Sequence, residues 1–519
     1  MADQIGEPDQ QADIVAFLET AGALQPGETA RRIDTHAARV FLAGDRAWKL
    51  KRAVHFGYLD FSSIEKRRAA LETELILNRR TAPTLYLAVR PICRDGRGAL
   101  NLEGRGGPVD WLLEMKRFPD GALLEDVAAR GELTDAMIMQ LADQVCAFHA
   151  DAEQVRLPPG HDRIGAVIAG NRASMAAFPD ILPAASVNGV SERQIGEVVR
   201  HAAVLDARAA QGRVRHAHGD LHLANIAAID GQAVMFDCLE FSPSLATVDV
   251  LYDLALLLMD LWARGFEAQA NMLLNRYLDV SPPDEAGIAL IPLFLSIRAT
   301  IRAHALAAQA GASPESELAR KAQHYLAIAD GLLAPIPPQL VAIGGLSGTG
   351  KSTIARLLGH HLGRAPGARI LRSDVLRKRL AGVLPETALP RDAYTPANSA
   401  AVYDELERLA NQTLQAGQAV IADAVYAKLE ERNSVGRLAR QRGVKFDGIW
   451  LEAPLDLVKE RLDARVHDAS DADTAVAEIQ ASYDLEVIAW HRVSTKGSRK
   501  SVAKQVREIL DNGEPSGRL

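Results

Sequence analysis

Gly345-Leu346-Ser347-Gly348-Thr349-Gly350-Lys351-Ser352 decides how the carboxy-terminal part of this 519-residue chain folds. The stretch fits G-x-x-x-x-G-K-[ST], the pattern of a phosphate-binding loop. Apolar Leu340-Val341-Ala342-Ile343 runs into it as a buried strand would, and Thr353 to Leu358 leaves it with helical character. The strand, loop and helix that the motif needs are therefore all expected. Glycines let successive backbone N–H groups turn towards a polyphosphate, and the following helix adds the positive end of its dipole. Gly345 to Thr353 is thus the expected nucleotide-binding segment. Lys351 would reach the β- and γ-phosphates of ATP, and the Ser352 hydroxyl would ligate Mg²⁺.

Strand-like runs at 368–372, 419–422 and 447–451 alternate with helical stretches beyond the loop, which is the pattern of an open parallel α/β sheet. Asp374 and Arg377 follow the first of these runs, in Arg372-Ser373-Asp374-Val375-Leu376-Arg377. Ile421-Ala422-Asp423 ends the next with a carboxylate, as a Walker-B aspartate does, so Asp423 is expected to hold Mg²⁺ through water. Arg461 and Arg465 are four apart and share a helix face, ahead of the polar segment 468–472. This region resembles small P-loop kinases of the gluconate-kinase, shikimate-kinase and zeta-toxin types. The resemblance implies Asp374 as base towards the acceptor, Arg377 as a hold on an anionic or polyhydroxy substrate, and Arg461 and Arg465 as lid arginines that neutralise the transferred phosphoryl group. Arg432 is a weaker candidate of the lid kind, and Arg377-Lys378-Arg379 reads as a solvated helix face.

The loop begins at residue 345, so something large precedes it. A chain of this length carries more than one core. With 48% hydrophobic and 24% charged residues it reads as globular, which excludes disorder over most of its length. Cys93, Cys146 and Cys238 lie far apart without metal-ligand spacing, pointing to a reducing compartment. The polar, acidic start has no signal-peptide pattern and no apolar run reads as long enough to cross a bilayer, so a cytoplasmic location without membrane partners is expected. A formal charge of −7 offers no broad basic field for nucleic acid.

Residues 12–24 read as a short amphipathic helix, 39–42 and 47–51 as a hairpin, 63–80 as a charged helix, and 86–92 and 109–115 as further strands. Helical periodicity dominates from Leu123 to about Leu205 and again after residue 245. Within it lies His218-Gly219-Asp220-Leu221-His222-Leu223-Ala224-Asn225, followed by Ala233-Val234-Met235-Phe236-Asp237. Asp220 and Asn225 fall at the separation of the kinase catalytic loop H-R-D-L-x-x-x-N, and Asp237 stands where D-F-G would begin. Phosphoryl transfer needs a carboxylate to take the acceptor's proton and oxygen ligands to hold Mg²⁺. Asp220 suits the first task, and Asn225 with Asp237 the second.

Residues 30 to 330 here resemble the aminoglycoside phosphotransferase family, which shares the protein-kinase fold. The resemblance implies that Lys49 pairs with the nucleotide phosphates and Glu74 with Lys49, with Lys51 and Glu72 as close competitors. Trp111 to Lys116 would form the connector between lobes. Asp237-Cys238-Leu239 stands in place of D-F-G, and no G-x-G-x-x-G covers the phosphates. His218 and His222 are expected to brace the loop, His149 to be structural, and Glu240 and Asp249 to shape the acceptor pocket or to be solvated or helix-capping.

The expected architecture is an amino-terminal helical extension (1–29), an α+β bilobal protein-kinase-like domain (30–334), a proline-rich linker (335–339) and an α/β P-loop kinase, AAA-type ATP-binding domain with a parallel sheet (340–519). The arrangement resembles the bifunctional aminoglycoside phosphotransferase and ATP-binding protein type. It implies an ATP- and Mg²⁺-dependent kinase with two sites acting on small hydroxylated molecules. Two alternatives accompany it: one half is a nucleotide-binding regulatory module, or the P-loop half is a nucleic-acid end kinase.

Overall fold

The computed structural model describes residues 11–35, 37–56, 59–155, 159–311, 313–463 and 469–512. Their contacts define two compact units, one from the described parts of 1–140, 147–155 and 214–253, the other from those of 141–146, 156–213 and 254–519.

In the first unit, strands β1 (Arg31–Asp34), β2 (Ala38–Ala43), β3 (Arg46–Lys51), β4 (Tyr86–Arg94), β5 (Leu100–Asn101) and β6 (Gly107–Lys116) form an antiparallel sheet in the order β1-β2-β3-β6-β4-β5. Side chains alternate across it. Phe41, Trp48, Leu50, Ile92 and Leu112 bury against Ile14, Val15 and Leu18 of helix α1 (Ala12–Glu19). The amino-terminal helix is therefore part of this core. Just ahead of it, Gln11 donates to Asp110 Oδ2 at 2.7 Å and to the Lys51 carbonyl at 2.9 Å. Helix α2 (Ile64–Asn78), capped by Ser63, packs Leu71 against Leu85, Tyr86 and Leu113. Lys49 and Lys51 alternate with Trp48 and Leu50 and so face α2. Trp111 to Lys116, expected as a connector, are paired residues within β6, and the segment leaving the sheet starts at Arg117. The whole forms a protein-kinase-like fold, with the strand lysine set against a helix glutamate.

In the second unit, Ile291–Ala310 and Glu317–Gly331 are long packed helices. The stretch Pro282–Ala310 is the one among the described residues long and apolar enough to cross a membrane, and 83% of its most apolar part is buried.

Its sheet contains β7 (Gln339–Gly344), β8 (Arg369–Arg372), β9 (Val420–Asp423), β10 (Lys445–Glu452) and β11 (His491–Ser494), in the order β8-β9-β7-β10-β11 with every neighbour parallel. Val341 and Ile343 pack with Ile354 and Val506, while Leu340 and Ala342 pack with Leu406 and Val435 on the other face. Burial on both faces explains why these strands read as continuous apolar runs. The fifth strand escaped that reading because only Val493 of its four residues is buried.

β8 is an edge strand, and its exposed edge is closed by side chains of helix α3 (Glu267–Val280) and the turn after it. Asn275 Oδ1 accepts from Ile370 N–H at 2.7 Å, and the Asn271 amide donates to the Ala368 carbonyl at 3.0 Å. Arg369, 2% exposed, pairs with Glu285 at 2.7 Å and Asp279 at 2.8 Å. Removing one partner leaves a buried guanidinium undercompensated. Glu285→Ala is expected to cost about 3 to 5 kcal/mol, measured as a lower denaturation midpoint at unchanged m-value; a loss under about 1 kcal/mol would show that the clamp is dispensable.

Candidate active sites

The first site is built where β3, α2 and the loop after Val214–His216 converge. Lys49 Nζ lies 2.7 Å from Glu74 Oε1 and 2.7 Å from Asp237 Oδ1. Burial lowers the lysine's proton affinity, but Asp237 and Glu74 outweigh it and hold the ammonium well above its ordinary range. Desolvation likewise raises the Asp237 carboxyl, and Lys49 overrides it, so the group is held below its usual value. Glu74 serves a second lysine as well: Lys51 Nζ is 2.6 Å from Glu74 Oε2 and also pairs with Glu240. Glu72 instead pairs with Arg68 at the surface.

Asp253 holds the loop carrying Asp220. Its two oxygens accept from His218 N–H at 3.2 Å and Gly219 N–H at 2.8 Å, and His149 Nε2 lies 3.0 Å from Oδ2. Gly219 has φ +83, and a Cβ there would stand 2.9 Å from Leu239 Cβ, so glycine is required. His218 Nε2 bonds the Phe236 carbonyl at 3.0 Å, tying the loop to the residue before Asp237. The hairpin Ile226–Ile229 with Gln232–Met235 sets the spacing between Asn225 and Asp237. Asn225 Nδ2 donates to Asp220 Oδ2 at 3.0 Å and to its carbonyl at 2.9 Å. Asn225 Oδ1 accepts no hydrogen bond from the described residues, which leaves an amide oxygen and the Asp237 carboxylate as an oxygen set suited to Mg²⁺.

The second site lies at the carboxyl ends of the parallel strands, where ligands of such sheets collect. Register aligns Ile343 with Asp423 and Asp423 with Arg372, so the loop, the carboxylate and the arginine stand side by side. Helix α4 (Lys351–Gly359) starts at the motif lysine, whose Nζ donates to the Leu346 carbonyl at 3.1 Å. Ser352 Oγ donates to Asp423 Oδ2 at 2.5 Å. Burial raises the Asp423 carboxyl, with Lys351, Arg372 and the Ser352 hydroxyl pulling the other way. A buried carboxyl with a hydroxyl against it is a fitting place for a divalent cation, which would settle the charge that burial disfavours. Among the described residues no group of three or more His, Cys, Asp or Glu side chains could close a metal cage.

Asp374 sits in the first turn of helix α5 (Ser373–Leu380), half-buried, and forms no hydrogen bond or ion pair among the described residues. Arg377, one turn on, stacks on Tyr394 at 4.7 Å and has no carboxylate partner among them. Arg461, on helix α6 (Leu455–Asp463), donates to Thr495 Oγ1 at 3.0 Å and its carbonyl at 2.6 Å, and lies 3.9 Å from where a Cβ on Gly350 would stand. Arg465 lies outside the described residues.

Several expectations are corrected. The run Arg377-Lys378-Arg379 is no solvated face: Lys378 is buried and pairs with Asp471, and Arg379 bonds Glu285 at 3.2 Å. Arg432 donates to the carbonyls of Tyr426, Ala427, Leu485 and Val487 and is a structural clamp. Glu240 pairs with Lys51, whereas Asp249 Oδ1 accepts from Leu251 N–H at the start of the helix Val250–Ala263, which is the helix-capping role among its expected readings. Two residues were overlooked. Asp253 had a signal, a lone carboxylate within an apolar helical run. Gln480, whose Oε1 accepts from the Ser347 N–H of the loop at 2.7 Å, had none.

Residues 340–484 match a family model described as an AAA domain, AAA_33. The chain is 30% identical over 484 residues to Uncharacterized protein Rv2004c of Mycobacterium tuberculosis, covering 92% of this chain and 94% of that one. The chain belongs to the family that this relative represents. It is also 32% identical over 117 residues to the adenylyl-sulfate kinase of Myxococcus xanthus, 22% of this chain and 59% of that protein. Among solved structures it is similar to the ethanolamine kinase of Plasmodium vivax (12% identity, 58% of this chain, 82% of that one, TM-score 0.37). A second is the APS kinase CysC of Mycobacterium tuberculosis in complex with AMPPNP and APS (20% identity, 34% and 100%, TM-score 0.25).

His218 offers a test of the first site's electrostatics. Burial opposes its charge, but Cys238, Asp253 and Asp220 outweigh this and raise it from 6.5 to about 9. A raised histidine adds stability that is complete below the unfolded value and lost as pH climbs through the folded one. The stability difference between wild type and His218→Gln in denaturant titrations should therefore be largest below pH 6.5 and shrink as pH rises through about 9. A difference independent of pH would show that the imidazole stays neutral.

Proposed function

We propose that the protein is an ATP- and Mg²⁺-dependent phosphotransferase with two kinase-type sites, each passing a phosphoryl group to a hydroxyl of a small molecule. The observation that carries this reading is the Ser352–Asp423 pair beneath a phosphate loop, with Asp374 left unsatisfied close by. In the second unit the loop's N–H groups and Lys351 would hold the polyphosphate, and Asp374 would accept the acceptor's proton. The new bond joins the acceptor oxygen to the γ-phosphorus as the bond to the β–γ bridging oxygen breaks, leaving ADP. Mg²⁺, held by Ser352 and Asp423, would neutralise charge on the phosphates. Arg461, beside Gly350, would meet the charge that develops on the phosphoryl group, and Arg465 is proposed for the same role. Arg377, with no carboxylate of its own, suits an anionic acceptor. The relative solved with AMPPNP and APS supports ATP and an anionic acceptor as the first compounds to test.

In the first unit, Lys49 braced by Glu74 would hold the nucleotide phosphates, Asn225 and Asp237 would hold Mg²⁺, and Asp220 would take the proton. The aminoglycoside-phosphotransferase-like motif supports a small hydroxylated acceptor, and one fold hosts many such acceptors. A second reading, in which this unit binds nucleotide without turning it over, is favoured by one feature. Between β1 and β2 the sequence carries no glycine, and Thr35 N–H and its hydroxyl both bond the Ala38 carbonyl, at 2.8 and 2.9 Å, where a glycine-rich flap would otherwise stand. Both units are read as cytoplasmic enzyme parts.

Incubation with Mg²⁺-ATP and pooled sugars, nucleosides, amino alcohols, sulfonucleotides and aminoglycosides, read by mass spectrometry, tests the proposal. A product is expected to fall at least about 100-fold in Asp220→Asn or in Asp374→Asn, each variant silencing its own acceptor class. Products unaffected by either substitution would contradict the assignment.

A further inference from the structure

Ser347 lies inside the phosphate loop, and its backbone N–H belongs to the run of N–H groups from which such a loop draws its anion donors. That donor is already taken. Gln480 Oε1 accepts from it at 2.7 Å, and both residues are only 9% exposed. Gln480 is the penultimate residue of helix α7 (Thr474–Ala481), whose start is capped by Asp473 Oδ1 on Val476 N–H at 2.8 Å. The helix packs through Ala477 on Val458 and Leu462 of α6. α6 in turn lies on the loop: a Cβ on Gly348, at φ +79, would stand 2.7 Å from Val458 Cγ1.

The segment is also anchored before the helix. Asp471 accepts from Leu389 N–H at 3.0 Å, from Lys378 and from the Tyr394 hydroxyl, and Tyr394 is the ring on which Arg377 stacks. Residues 469–481 thus touch the donor side of the site through Gln480 and the acceptor side through Asp471. A primary amide's carbonyl oxygen is a neutral counterpart of a phosphate oxygen, accepting the same N–H bond without the charge.

We propose that Gln480 is an internal competitor for the phosphate loop, so that a polyphosphate must displace its side chain, and that the 469–481 segment links this displacement to the acceptor side. The inference rests on the reading of residues 345–353 as a phosphate site. Removing a competing hydrogen bond of ordinary net strength should tighten binding roughly fivefold. A carboxylate at the same place should keep the N–H and repel the phosphates.

Calorimetric titration with Mg²⁺-ADP tests this on wild type, Gln480→Ala, Gln480→Glu and Lys351→Ala, scoring the binding event that Lys351→Ala removes. The expected result is tighter binding in Gln480→Ala by roughly fivefold and weaker binding in Gln480→Glu by roughly tenfold or more. Gln480→Ala that binds as wild type or more weakly overturns the proposal, because a residue that helps to hold the nucleotide, or has no part in it, gives that result. Should Lys351→Ala remove no binding event, the phosphate-loop reading fails instead, and Gln480 falls with it.

Discussion

A charge taken out of water must be met by another, and the partners are found across elements that sequence keeps far apart. Lys49 and Lys51 on β3 share Glu74 on α2, so the strand's register decides where two ammonium groups stand. Arg369 on β8 depends on Asp279 and Glu285 from the α3 region, and Lys378 on α5 depends on Asp471. Each pair costs desolvation and returns position. Both candidate sites are assembled from groups fixed in this way, with a few left unsatisfied for a ligand.

Those unsatisfied groups separate site from scaffold. Asp374 and Arg377 share one face of α5 without ionic partners among the described residues, while Lys378 and Arg379, which follow them, are engaged by Asp471 and Glu285. In the first unit Asn225 spends its amide N–H groups on Asp220 and keeps its oxygen. Asp253 orients the backbone of the loop, its two oxygens accepting from the His218 and Gly219 N–H groups.

Much of the fold was legible because its signals are local. The phosphate loop needs glycines and a lysine at fixed short offsets, and the His218 to Asn225 loop needs its carboxylate and amide five apart, so both stand out in one reading of the chain. The parallel strands were visible as apolar runs because both faces of the sheet are covered. β11 was not, because an edge strand with one buried residue has no pattern to show. Side-chain partnerships were the least legible. Gln480 meets Ser347 across 133 residues, and Arg369 meets Glu285 across 84, distances at which neither periodicity nor spacing carries information. The basic run 377–379 misled for the same reason, since its carboxylate partners lie elsewhere in the chain.

The central claim is that one chain carries two separate places for a nucleotide's phosphates. Counting bound nucleotide by native mass spectrometry with Mg²⁺ and AMPPNP addresses it most directly. The account predicts two nucleotides per wild-type chain and one per Lys351→Ala chain. A single nucleotide on the wild type and none on Lys351→Ala would contradict it, leaving the Lys49–Glu74–Asp237 cluster as a structural feature of a fold that has only one working site.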